Sequence, residues 1–193
     1  MSVIDKILDD HEELRTYGAK FVDSEQDKWF SQFVWELTRH HIGEELVVYP
    51  LLEKLGQQGM DLAKEGRQEH HQVKLDLEEI HSTKDTSKIK AMLSNLMTHL
   101  EHEESKDLPL LKKLSHDELV KAGELFQFRK KIAPTHTHMI IPEDNATVAT
   151  ALGLMIAPID KLRDMFLTFP SKEEKQQAEK EFGDKEKAED AMK

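Results

Sequence analysis

Between Val3 and Phe21 the apolar residues Ile4, Ile7, Leu8, Leu14 and Phe21 recur at helical spacing, and His11 falls among them in a core-facing slot. The pattern predicts a first helix over about 2–21. The string DSEQ, Asp23 to Gln26, reads as a turn in which Ser24 is placed to cap the next helix, with Asp27 three residues on. A second helix carries Phe33, Leu37, His40, Glu44, Val47 and Leu51 on one face, and Gly56 and Gly59 stop it at LGQQG. A third, from about Met60, presents Ala63, Gly66, His70, Val73, Leu77 and Ile80 until HSTKDTS, His81 to Ser87, breaks it. The fourth holds Ile89, Met92, Leu96, His99, Glu103 and Leu110 and ends near Leu114. Ser115 with Glu118 is a capping-box pattern that opens a fifth helix to about Ile132. A loop over 133–145 and an amphipathic helix over about 146–166, bent at Pro158, follow. Beyond Pro170 the chain is dense in charge and reads as an exposed helix or as disorder. The expected fold is all-α, an up-down-up-down four-helix bundle with additional C-terminal helices. Its expected divisions are a bundle with its fifth helix over 1–132, a loop and packed helix over 133–170, and a charged tail over 171–193.

The polar residues inside these apolar stripes repeat. His11, His40 and Glu44 recur as His70, His99 and Glu103 at a constant offset of 59, and Pro50 and Pro109 each lie ten residues beyond the second histidine of their half. In an antiparallel hairpin two residues are level when they are equally far from the turn. The midpoint of His11 and His40 is 25.5, that of Glu44 and His70 is 57, and that of His70 and His99 is 84.5. All three fall in turns, so a bundle brings the six residues to one height. Four residues along a helix amount to about 40° and 6 Å, which lets His40 with Glu44, and His99 with Glu103, share a metal ion.

An ionised carboxylate taken out of water costs several kcal/mol unless it is compensated. A pair of cations compensates two of them. Two glutamates bridging two metals, with two histidines on each, leave positions for a bridging group and an exogenous ligand. Imidazole with carboxylate suits iron first, ahead of manganese and zinc, whereas calcium takes oxygen donors.

Composition narrows the chemistry further. The 193 residues suit one domain with an appendage and include no cysteine, so thiolate sites, disulfides and cysteine nucleophiles are excluded. A net charge of −11 argues against nucleic-acid and membrane-surface partners. The N-terminus lacks a signal-peptide core and the apolar run Ala146 to Ile159 is short and interrupted by Gly153 and Pro158, so a cytoplasmic protein is expected. The pattern does not specify an oligomeric state.

With DDHEEL at His11, RHHIGEELVVYP at His40, EHHQVK at His70 and THLEHEE at His99, residues 3–114 resemble the hemerythrin-like, or HHE cation-binding, family. The resemblance implies a four-helix bundle holding a non-heme di-iron centre with an oxo or hydroxo bridge, its ligands His11, His40, Glu44, His70, His99 and Glu103. The region after Leu114 is similar to the C-terminal extension of some longer members and adds no known chemistry. Oxygen-carrying members use five histidines, two of them one turn apart on the third helix. Here those neighbouring positions are Gly66 and Lys74, and the fourth-helix carboxylate is Glu103. One metal is therefore expected to have a freer position, which turns the reading away from simple oxygen transport.

His41 with Glu45 is the rival pair to His40 with Glu44, but its repeat position is Leu100. His71 and His81 are candidates for a fifth ligand. The His136 and His138 pair either holds a second cation or faces solvent. Trp29, Phe30, Phe33 and Trp35 are expected between the first two helices, and Gly18 and Gly66 at close helix packing. Three functions follow: a binding protein for dioxygen, nitric oxide or peroxide, or for iron itself; a di-iron oxidase, oxygenase or peroxidase acting on a small organic molecule, with the helix over 146–166 walling a channel; and a sensor whose fold depends on metal.

Overall fold

A computed structural model of the chain describes residues 1–83, 87–139, 141 and 146–190. The break expected at HSTKDTS centres on 84–86, outside the described residues. Helix α1, Val3–Ser24, opens with a reciprocal pair: the Ser2 hydroxyl accepts from the Asp5 N–H and the Asp5 carboxylate accepts from the Ser2 N–H. It closes at Glu25, whose left-handed φ of 52° lets its N–H donate to the Phe21 carbonyl. Ser24 does not cap the next helix. It is the last residue of α1, and its hydroxyl donates back to the Lys20 carbonyl at 2.7 Å.

Helix α2, Asp27–Gly43, continues through a π-helical turn, Glu44–Val48, into α3, Tyr49–Glu53. After α4, Gln57–Thr83, the same device recurs: α5, Ser87–His102, passes through the π-helical turn Glu103–Asp107 into α6, Leu108–Leu111. The repeated prolines explain the pair. Pro50 and Pro109 have no N–H to donate, and their rings crowd the carbonyls four residues earlier. A turn one residue wider relieves both problems, with the Tyr49 N–H donating to Glu44 and the Leu108 N–H to Glu103. Each glutamate of the repeat therefore stands where the helix widens.

Gly56, at φ 93°, makes the turn into α4, which begins three residues before the expected Met60. Gly59 lies inside its first turn, where a Cβ would stand 1.9 Å from the Leu52 carbonyl oxygen. Helix α7, His116–Ile132, starts with the expected Ser115 and Glu118 capping box and packs on α1 and α2. Helix α8, Ala146–Asp164, contains Pro158 and lies on α7. The charged tail is a helix, α9, Lys172–Asp190, capped by Ser171 with Glu174. It packs on α1 with Ala178 buried, and Tyr17 donates to Glu179 at 2.8 Å.

The architecture is an all-α up-down-up-down bundle with further C-terminal helices. Its core is in two parts: Ile4, Ile7, Val47, Leu52 and Leu111 belong to one apolar cluster, and Leu14, Phe33, Leu37, Leu96 and Leu100 to another. His11 sits in α1 between Ile7 and Leu14, so the polar layer separates the two clusters. Trp29 stacks on Tyr17 and Phe30 tilts against Phe21 between α1 and α2. Trp35 instead lies under the Arg39 guanidinium, 3.7 Å from its ring centre. No described helix is long and apolar enough to cross a membrane.

Candidate metal centre

His11, His40, Glu44, His70, His99 and Glu103 are all buried and all point into this layer. They form two overlapping groups. In one, donor atoms of His11, His40, Glu44 and Glu103 lie within 4.8 Å of one another; in the other, those of Glu44, His70, His99 and Glu103 do. Both glutamates belong to both groups, as two carboxylates bridging two cations would. Among the described residues, Nε2 of His11, His40 and His99 and Oε2 of Glu44 and Glu103 have no hydrogen-bond partner. Orphaned buried polar atoms are costly, and five spread over these two overlapping groups are what a pair of cations would satisfy. The donor set of imidazole and carboxylate fits iron, manganese or zinc.

Each of the four histidines has a carboxylate on its other ring nitrogen. His11 Nδ1 is 2.8 Å from Glu104, His40 Nδ1 3.1 Å from Asp10, His70 Nδ1 3.1 Å from Glu45, and His99 Nδ1 2.5 Å from Glu69. Such a partner keeps the proton on Nδ1 and turns the Nε2 lone pair inward. These acids obey the same offset of 59, Asp10 with Glu69 and Glu45 with Glu104. The residue before each first histidine holds the second histidine of its own half. The residue after each central glutamate holds the first histidine of the other half. Glu45, on the rival face at the level of sequence, thus supports His70.

Helix α7 also reaches this shell. Lys130 Nζ lies 2.5 Å from the Asp10 carboxylate that orients His40, and the Phe126 ring meets His40 edge-on with centroids 6.2 Å apart. The extension after Leu114 therefore helps position a histidine.

His41 and Tyr49 break the symmetry on the side of His70 and His99. The His41 ring stacks on His70 at 3.6 Å and 13°, with its Nε2 unpartnered, and its donors cluster with those of His70 and His99. Tyr49, where the repeat has Leu108, is fully buried and brings its hydroxyl to 2.9 Å from His70 Nε2 and 3.3 Å from Glu103 Oε1. The position expected to be freer thus has a phenol oxygen aimed at it, and Gly66 provides the room. His71 and His81, the candidates for a fifth ligand, are exposed. His136 and His138 are bonded to Asp164 and Asp160, each at 2.9 Å, and pin the loop to α8.

Burial, and then the charge of Glu103, push Glu44 well above the ordinary carboxyl range. Burial would raise Glu103 too, but His99 and His11 outweigh it and hold its carboxyl low. Burial lowers His40, His41 and His70, which favours their neutral form; it would lower His11 and His99 too, but Glu103 with Glu104, and Glu103 with Glu69, outweigh it and raise them. Burial and then Glu103 raise the Asp107 carboxyl, four residues beyond Glu103, to about 7.

Residues 2–111 match the family model described as the hemerythrin HHE cation binding domain. An uncharacterized hemerythrin-like protein of Schizosaccharomyces pombe is 38% identical over 180 residues, covering 87% of this chain and 88% of the relative. No solved structure matches significantly.

Proposed function

The chain belongs to the hemerythrin HHE cation-binding family, and from that premise we propose that its buried centre holds two iron ions and binds dioxygen or a related small ligand such as nitric oxide or peroxide. The sharing of Glu44 and Glu103 between two clusters carries this reading. A bound iron pair supplies redox change and open coordination positions. The protein supplies imidazoles held by Asp10, Glu45, Glu69 and Glu104, and two apolar clusters that exclude water on either side. His41 and Tyr49 make the two metal positions unequal, so an exogenous ligand is expected on the side of His70 and His99.

A second reading, a di-iron oxidase, oxygenase or peroxidase acting on a small organic substrate, is favoured by a cavity of about 400 Å³ beside α4 and the 136–139 loop. Reduced, iron-loaded protein mixed anaerobically with oxygen separates the two. An absorption change that reverses on degassing supports binding. Sustained oxygen consumption with turnover of a reductant supports the enzyme. No response to oxygen or nitric oxide contradicts both.

A further inference from the structure

The 400 Å³ cavity lies outside the metal layer, between α2, α4, the 136–139 loop and the end of α8. Phe30, Val34 and Leu77 give it an apolar wall, and its lining carries two fixed cations, Lys74 and Arg163, against one carboxylate, Glu78. Two more acids stand close by and must be accounted for. Asp160 accepts the Thr135 and His136 backbone N–H groups at 3.0 and 3.1 Å and the His138 ring at 2.9 Å. Asp164 accepts from the Thr135 hydroxyl and pairs with His136. Neither lines the cavity, since both are turned to the loop that roofs it. At the inner end, Lys74 Nζ donates to the Ile141 carbonyl at 3.3 Å and stands 3.9 Å from Glu45.

The cavity also continues inward. Lys74, His136, Thr137 and His138 are shared with a smaller space whose far wall is His41, the ring stacked on His70. We propose that this cavity binds a small organic monocarboxylate, its hydrocarbon body on the Phe30, Val34 and Leu77 wall and its carboxylate taken by Arg163 on the side away from His41. A multiply charged anion is disfavoured, because Glu78 lines the cavity and Asp160 and Asp164 stand behind the roof. The binding itself does not depend on iron. A role for the ligand as substrate deepens the enzyme reading and rests on it.

The test is calorimetric titration of the full chain, metal-free and iron-loaded, with hexanoate and benzoate against hexanamide and benzamide. The acids are expected to bind saturably to both forms and about tenfold more tightly than the amides, the worth of one charge-assisted contact. Arg163→Gln, at an exposed position, should erase that preference, and Ser31→Trp, which fills the cavity, should remove binding of acid and amide alike. Three results overturn the proposal: equal affinity for acid and amide, an unchanged preference in Arg163→Gln, or acid binding that appears only when iron is present. A chain that binds the acids but loads no iron keeps the cavity and loses the metal reading instead.

Discussion

A Cβ on Gly66 would stand 2.4 Å from the Tyr49 hydroxyl oxygen, so the phenol reaches His70 because residue 66 has no side chain. Helix propensity alone makes Gly66→Ala stabilising by about 1 kcal/mol in the middle of α4. Overpacking against a buried ring costs about 1–3 kcal/mol, and here it dominates. Gly66→Ala is therefore expected to lower the melting temperature of the wild-type protein. In a Tyr49→Leu background, which copies Leu108 of the other half, the same change should be neutral or stabilising. A double-mutant cycle by thermal melting reads the coupling, and simple additivity would contradict the contact.

The carboxylates behind the histidines predict a graded series. Glu44→Ala or Glu103→Ala removes a donor common to both clusters and should prevent two-metal loading. Asp10→Asn, Glu45→Gln, Glu69→Gln and Glu104→Gln should load both ions with about 10- to 100-fold weaker affinity. His41→Ala should load both and alter the spectrum. Competition with a chelator of known affinity measures all of these. Full loading by Glu44→Ala with failure of His41→Ala would move the ligand set by one residue.

The six central residues were readable from sequence because duplication wrote them twice, at a spacing that levels them in a bundle. Their supporting acids were not, since Asp10 or Glu69 beside a ligand looks like any solvated charge on a helix. Tyr49 was hidden for another reason: its direction depends on the π-helical turn, and a 3.6-residue period does not reveal that extra residue. Pro50 and Pro109 were the visible trace of it. Ser24 is no cap because α1 runs into the expected turn and closes only at Glu25, in the left-handed conformation. The tail was ambiguous by composition, and Ala178 and the Ser171 cap decide for a docked helix.

Docking of α9 rests on Tyr17 with Glu179, Lys20 with Glu181 and Lys28 with Glu174, around one small buried alanine. Partly exposed ion pairs contribute little each and are screened by salt. Hydrogen exchange should therefore show 172–190 opening well before the bundle, and more readily at about 1 M salt. Ala178→Asp should release the helix while leaving the melting of the bundle nearly unchanged. Protection of 172–190 equal to that of α4 would contradict this.

Burial would raise the Asp160 carboxyl, but the His138 hydrogen bond and charge and the His136 N–H outweigh it and hold it below its ordinary value. A carboxyl depressed in the folded state contributes stability above its unfolded pKa, near 4, and loses it as the pH falls through the lower folded value. The 135–138 loop should stay pinned to α8 from neutrality to about pH 4 and loosen below it. Asp160→Asn should loosen it at every pH. Exchange protection of the His136 amide follows the transition, and a loop already loosened well above about pH 4 would contradict this.

The most direct test is metal content per chain after anaerobic reconstitution with ferrous iron, removal of excess and reoxidation. Two tightly held irons per chain are predicted, falling below two in Glu44→Ala and Glu103→Ala. A folded wild-type chain that retains no transition ion, or retains one that survives both substitutions, would contradict a centre built on shared glutamates.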